Sequence, residues 1–157
     1  MRRAMDHFAD DNELIFKYIK ELKLPTIKDG LDDMVSDAVA ERWNYRRFLR
    51  ALLQREVEQR FENRKYQRIR NASFPQLKYL HKLEREELPA DGRSLLPEFE
   101  NLGFIREGRN IVMYGNPGTG KTRIAIGLGI KACMEGYTVY FTTVPQLLTK
   151  IKEAKNR

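Results

Sequence analysis

Apolar residues recur at helical spacing through the first half of the chain and then change period. From Asp11 to Leu24, the positions Leu14, Ile15, Tyr18, Ile19 and Leu22 lie three or four apart. They predict an amphipathic helix capped by Asp11 or Asn12 and ended by Lys23-Leu24-Pro25. Thr26 is the expected cap of a second helix with Ile27, Leu31, Met34, Val35, Ala38 and Val39 on one face. A third helix is predicted from about Asn44 to Asn71. Its seam is Tyr45, Phe48, Leu49, Leu52, Leu53, Val57 and Phe61, after which Arg64, Lys65, Arg68 and Arg70 dominate. Ser73-Phe74-Pro75 should break it, because the residue before a proline is pushed out of the helical region.

Leu77, Tyr79, Leu80 and Leu83 form a short mixed segment, and Leu88-Pro89-Ala90-Asp91-Gly92 reads as a loop. A helix from about Arg93 to Leu102 is expected to end at Gly103. The period then shortens. Asn110-Ile111-Val112-Met113-Tyr114 is a compact apolar run, read as a buried parallel strand. Residues 123–135 are apolar nearly all round (Ile124, Ala125, Ile126, Leu128, Ile130, Ala132, Cys133), as a helix inside a core must be. Tyr137 to Thr142 predicts a second strand, and Pro145 opens a basic amphipathic helix with Leu147, Leu148 and Ile151.

The expected class is α/β: a helical N-terminal region over residues 1–72, a linker over 73–91, and the start of an α/β domain over 92–157. A doubly wound α/β domain needs more parallel strands than these residues supply, so the chain reads as the front portion of a longer protein.

Between the predicted strand and core helix lies Gly115-Asn116-Pro117-Gly118-Thr119-Gly120-Lys121-Thr122, which fits the pattern G-x-x-x-x-G-K-[ST]. Triphosphate is densely charged and needs many donors at short range. Glycines let the backbone curl so that N–H groups converge, with no Cβ in the way. The helix start adds a positive dipole end. Lys121 is placed to reach the β- and γ-phosphates, and the Thr122 hydroxyl to bind Mg²⁺. Arg123 follows directly and joins the expected ATP-binding set. The competing interpretation is a tight glycine turn that binds nothing. Strand before and helix after the loop favour the ATP site.

Charge adds a second candidate surface. The chain has 157 residues and a net charge of +7. Between Trp43 and Ala72 there are nine Lys or Arg against three Glu, so nearly all the positive excess sits in the third helix. Arg60, Arg64, Lys65 and Arg68 are the candidate contacts to duplex DNA phosphates, a sequence-independent and salt-sensitive mode. The alternatives are a solvated helix, or one neutralised by the acidic second helix (Asp29, Asp32, Asp33, Asp37, Glu41). The single cysteine, Cys133, is expected to be a buried core residue, which suits a cytoplasmic protein without disulfides. No stretch approaches the length of a membrane span, and no signal peptide is read at the N-terminus.

These residues resemble the IstB family, the AAA+ helper ATPases of insertion-sequence transposases, and their relatives the DnaC-type helicase loaders. Asn71-Ala72-Ser73-Phe74-Pro75 looks like the family's small-residue–Phe–Pro signature. Leu102-Gly103-Phe104-Ile105 with Asn110-Ile111-Val112 resembles its lead-in to the first strand. Gly115–Thr122 with Ala125-Ile126-Gly127-Leu128-Gly129 matches its loop and helix, and residues 136–143 with Leu147-Leu148 its second strand and next helix. Asn116 stands where the family usually has Pro, and Arg123 where it usually has His. The resemblance implies ATP and Mg²⁺ as cofactors, duplex DNA and a transposase as partners, and assembly of identical subunits. It places the family's Walker B acids, sensors and arginine finger outside these residues, so this chain is expected to bind ATP without hydrolysing it. A helicase loader, a P-loop small-molecule kinase and an inactive remnant of a disrupted element are the alternatives.

Overall fold

The computed structural model describes residues 2–155, with side chains from residue 11 onward. The chain divides into two compact units, Met1–Asn63 and Arg64–Arg157.

The first unit holds α1 (Arg2–Glu21), α2 (Pro25–Ala40) and the beginning of α3 (Tyr45–Asn71). The predicted first helix is therefore longer at its N-terminal end. The turn between α1 and α2 is closed by Leu24 N–H donating to the Ile19 carbonyl at 2.9 Å, with Lys23 in the left-handed region at φ 54°. The core of this unit is Ile19, Ile27 and Leu31, with Leu24, Phe48 and Leu52 packed against it. The predicted seam of α3 is thus split. Phe48 and Leu52 face the core, while Tyr45, Leu49, Leu53, Val57 and Phe61 are exposed. Asn44 caps α3, its Oδ1 accepting the Arg47 N–H at 2.8 Å.

The start of α2 departs from expectation. Pro25 occupies its first position, where a missing N–H costs nothing. Thr26 does not cap the helix. Its N–H and that of Ile27 both donate to Glu56 Oε2, at 3.0 and 3.2 Å. Glu56 is buried, and its other oxygen accepts from Arg60 Nε at 2.8 Å. A carboxylate from α3 therefore caps α2. Burial pushes the Glu56 carboxyl up. The Arg60 hydrogen bond and the two backbone donors outweigh that, and the group sits below its ordinary value.

The second unit is organised around α6 (Lys121–Met134), which is buried on most sides as its apolar composition requires. One side packs with Leu88, Leu96 and Leu102 through Ile124, Leu128 and Ala132. The other packs with Ile69 and Ala72 through Ile126, Ile130 and Cys133. Cys133 is fully buried, as expected. Two glycines allow close approach. A Cβ on Gly127 would stand 2.5 Å from Leu80 Cδ2, and one on Gly129 2.9 Å from the Phe74 ring. The connecting segments are 3-10 turns at Leu80–Lys82 and Arg85–Glu87, then α4 (Ala90–Glu100) and α5 (Gly103–Arg106). α4 begins three residues before the predicted start. Leu102, at φ 56°, makes the break assigned to Gly103, which instead opens α5. α7 (Val144–Lys155) follows as predicted.

The two expected strands are not formed among the described residues. Residues 110–114 and 137–143 form no strand ladder among the described residues, so no sheet is present there. Their side chains still alternate. Ile111 and Met113 pack on the α6 core, whereas Val112 is 82% and Tyr114 91% exposed. Alternation sets which side chains are buried. A strand also needs a neighbour to take its backbone N–H and C=O groups. One tie is made: Phe141 N–H donates to the Ala72 carbonyl at 2.7 Å.

Candidate nucleotide site

The loop between Met113 and α6 has the backbone that its glycines permit. Gly115, Gly118 and Gly120 have φ of 137°, 86° and 82°, in the left-handed region that side-chain-bearing residues rarely adopt. α6 begins directly at Lys121, and Ile124 N–H closes the first turn on the Gly120 carbonyl at 2.9 Å. The Thr119 hydroxyl donates to the Asn116 carbonyl at 2.9 Å and tightens the loop. Lys121 Nζ lies over it, donating to the Gly115 and Asn116 carbonyls at 2.9 and 2.6 Å and to Thr119 Oγ1 at 3.1 Å. The ammonium is thus held at the loop by carbonyl oxygens that a phosphate oxygen can replace. Thr122 is exposed at the helix start.

The loop borders a concavity of about 630 Å³ lined by Gly115, residues 117–123, Gln76 and Lys78. Its ionisable lining groups are Lys78, Lys121 and Arg123, with no carboxylate. This fits a polyanion. Asn116 does not line this side but faces a second, more apolar concavity with Tyr114, Phe99 and Asp91. Of the loop residues singled out in the sequence, Gly115 and residues 117–123 line the first concavity; Gln76 and Lys78, which sequence reasoning did not single out, line it with them. Their signal was weak: they directly follow the Phe74-Pro75 break, a place read only as a linker. Arg123 Nη2 donates to the Lys82 carbonyl, which joins α6 to that linker.

The basic residues of α3 have different surroundings. Arg60 is engaged by Glu56 and by the Lys23 carbonyl, to which its Nη2 donates. In the second unit Arg64 is exposed, Lys65 is half-buried, and Arg68 is half-buried with Nη1 3.5 Å from the Cys133 carbonyl. Arg47 lies over the Trp43 ring at 4.3 Å, and both donate to Glu41. Among the described residues, no helix is long and apolar enough to cross a membrane.

Glycine loop, capping lysine, exposed threonine and buried helix together have the form of a Walker A loop. The chain belongs to the family of IstB-like ATP binding proteins, whose model matches residues 17–157. It is 30% identical over 137 residues to an ATP-binding protein of insertion sequence IS21 from Pseudomonas aeruginosa, a match covering 87% of this chain and 52% of the relative. An IS21-like ATP-binding protein from Bacteroides fragilis (strain YCH46) is 31% identical over 151 residues, covering 96% and 75%. The ATP-binding protein of insertion sequence IS5376 from Geobacillus stearothermophilus is 29% identical over 142 residues, covering 90% and 57%. The chain spans about half the length of several of these curated relatives.

Proposed function

We propose that this chain is the ATP-binding part of a cytoplasmic DNA-transposition helper, in which residues 115–123 grip Mg²⁺-ATP. The observation that carries the reading is the Lys121 ammonium held over a left-handed glycine loop at the start of a buried helix. The backbone amides of the loop bind phosphate oxygens, Lys121 neutralises the terminal phosphates, and the Thr122 hydroxyl holds the metal. Bound Mg²⁺-ATP supplies a cleavable terminal phosphoanhydride. In the whole protein, residues 110–114 and 137–142 become strands of a parallel sheet, and hydrolysis follows. The relatives' insertion-sequence names support a transposase as partner. The positive excess of α3 supports duplex DNA through Arg64, Lys65 and Arg68, with Arg60 in its structural role beside them. Identical subunits assemble side by side on the DNA.

The test is a titration with a fluorescent ATP analogue and Mg²⁺. Wild type should bind and Lys121→Ala should not, because the substitution leaves triphosphate charge uncompensated. Equal affinity of the two forms rejects the site.

A further inference from the structure

The turn that joins α1 to α2 borders a hollow of about 690 Å³ walled by Lys17, Lys20, Lys23 and Lys28. Phe16, Leu24 and Pro25 form part of its floor, and no carboxylate lines it. All four lysines are exposed, and none makes an ion pair among the described residues. Acidic residues elsewhere on α1 and α2, Glu21, Asp29 and Asp32 among them, cancel these lysines in the net charge. A count of charge along the chain therefore hides the cluster, which the turn assembles. That turn is fixed, because the Leu24 N–H donates to the Ile19 carbonyl at 2.9 Å and Arg60 Nη2 donates to the Lys23 carbonyl. Like charges held together repel, and a polyanion that displaces small counterions relieves the repulsion.

We propose that this lysine hollow is a second duplex-DNA contact, one that grips phosphates through the first unit alone. The proposal rests on the reading of the chain as a DNA-transposition helper. Charge complementarity names the occupant. Four ammonium groups call for closely spaced negative charge, and duplex DNA carries one per about 1.7 Å of its axis. Lys17 and Lys20 stand about 4.5 Å apart along α1, so each meets a phosphate in any register. An extended acidic peptide offers at most one charge per about 3.3 Å, and its successive side chains point to opposite faces. The lining has no Asn, Gln or Arg, the side chains that pair bidentately with base edges. Point charges on long stems hold a backbone and read no sequence. An apolar floor beneath them suits the methylene stems while the ammonium groups stay in water. Arg64, Lys65 and Arg68 belong to the second unit, so the two surfaces add their counterion release.

The experiment compares the whole chain with a variant carrying Lys17→Gln, Lys20→Gln, Lys23→Gln and Lys28→Gln. Fluorescence anisotropy follows binding to two duplexes of unrelated sequence between about 50 and about 200 mM salt. Glutamine keeps helix propensity nearly unchanged, and Arg60 donates to a backbone carbonyl that the substitution leaves in place. The slope of log affinity against log salt should flatten by about 3–4, at roughly 0.9 per contact. The rise in salt should then cost the variant about a hundredfold less affinity than it costs wild type. The loss should be the same on both duplexes, and binding of a fluorescent ATP analogue should not change. A slope within about one of wild type overturns the proposal, and so does a loss confined to one duplex. If that unchanged slope comes with a smaller sedimentation coefficient, the hollow holds the acidic α2 face of a second copy instead. If the Arg64, Lys65 and Arg68 variant flattens the slope and the lysine variant does not, this proposal fails and the DNA reading stands. If wild type binds neither duplex, the DNA reading itself fails. Should the fourfold variant lose its helical circular dichroism, Lys17→Gln with Lys20→Gln decides. Flattening by about 2 then sustains the proposal, and no flattening overturns it.

Discussion

Replacing Glu56 tests the logic of the first unit most directly. Glu56→Ala removes three interactions of unequal weight. The Ile27 N–H is buried, so losing its acceptor costs about 1–3 kcal/mol. The Thr26 N–H is half-exposed, and water can replace the carboxylate there for a few tenths of a kcal/mol at about that scale. The Arg60 side chain is 44% exposed, so its ion pair with Glu56 contributes about 0.5 kcal/mol after screening. The expected loss is about 2–4 kcal/mol, a large share of the 5–15 kcal/mol typical of a domain. Glu56→Gln keeps an acceptor of the same shape without the charge and should lose about half as much. Urea unfolding can be followed by the fluorescence of Trp43, the chain's single tryptophan and a member of the first unit. At about 1–3 kcal/mol per molar urea, the midpoint of the alanine variant should fall by about 1 M or more. The pH dependence has a definite sign. The folded-state pKa of Glu56 is depressed, so its contribution is complete above the ordinary carboxylate value and is lost as pH falls through the folded pKa. The gap between wild type and Glu56→Ala should be constant near neutrality and close in acid. A midpoint within 0.3 M of wild type at neutral pH (order of magnitude from the slope) would refute the capping argument.

Other substitutions test the second unit and the basic helix. Gly127→Ala should destabilise by about 1–2 kcal/mol despite better helix propensity, since its Cβ meets Leu80 and the Lys78 carbonyl. Gly92→Ala, in α4 with nothing within 4 Å of the new methyl, should stabilise by about 0.5 kcal/mol, and thermal melts compare the pair. Arg64, Lys65 and Arg68 replaced together by Gln should flatten log affinity against log salt for duplex DNA by about 2–3, at roughly 0.9 per phosphate contact. An unchanged slope removes this segment from the DNA surface. Arg60→Gln should mainly lower the stability of the first unit, since that side chain serves Glu56 and the Lys23 carbonyl.

The features carried by local pattern were readable in advance. A stretch apolar all round became the buried α6, and glycine spacing gave a loop with left-handed glycines at its corners. Features that depend on distant neighbours were not. Periodicity marked both Phe48-Leu52 and Leu49-Leu53-Val57 as a seam, yet only one row has helices to pack against in the first unit. Glu56 lies four residues beyond Leu52 on that inner row, and nothing local says that its carboxylate meets the start of α2. Residues 110–114 and 137–142 form no ladder among the described residues, because alternation needs only one covering layer, while a ladder needs a partner strand. Gln76 and Lys78 come to line the concavity through the path of the linker, whose only signature residues, Ser73-Phe74-Pro75, lie just before them.

The burial of Cys133 makes the second unit self-reporting. Burial pushes the thiol up, and it sits among Ile69, Ala72, Ile126 and Ile130. A thiol reagent can react only when that packing opens, so the labelling rate counts excursions of α6 from its neighbours. The chain has no second cysteine to confuse the signal. The loop that begins α6 and the thiol near its end belong to one helix. A nucleotide bound at the first should slow reaction at the second by the factor 1 + [L]/Kd. A colorimetric reagent and a clock would then report occupancy of the loop without any label on the nucleotide.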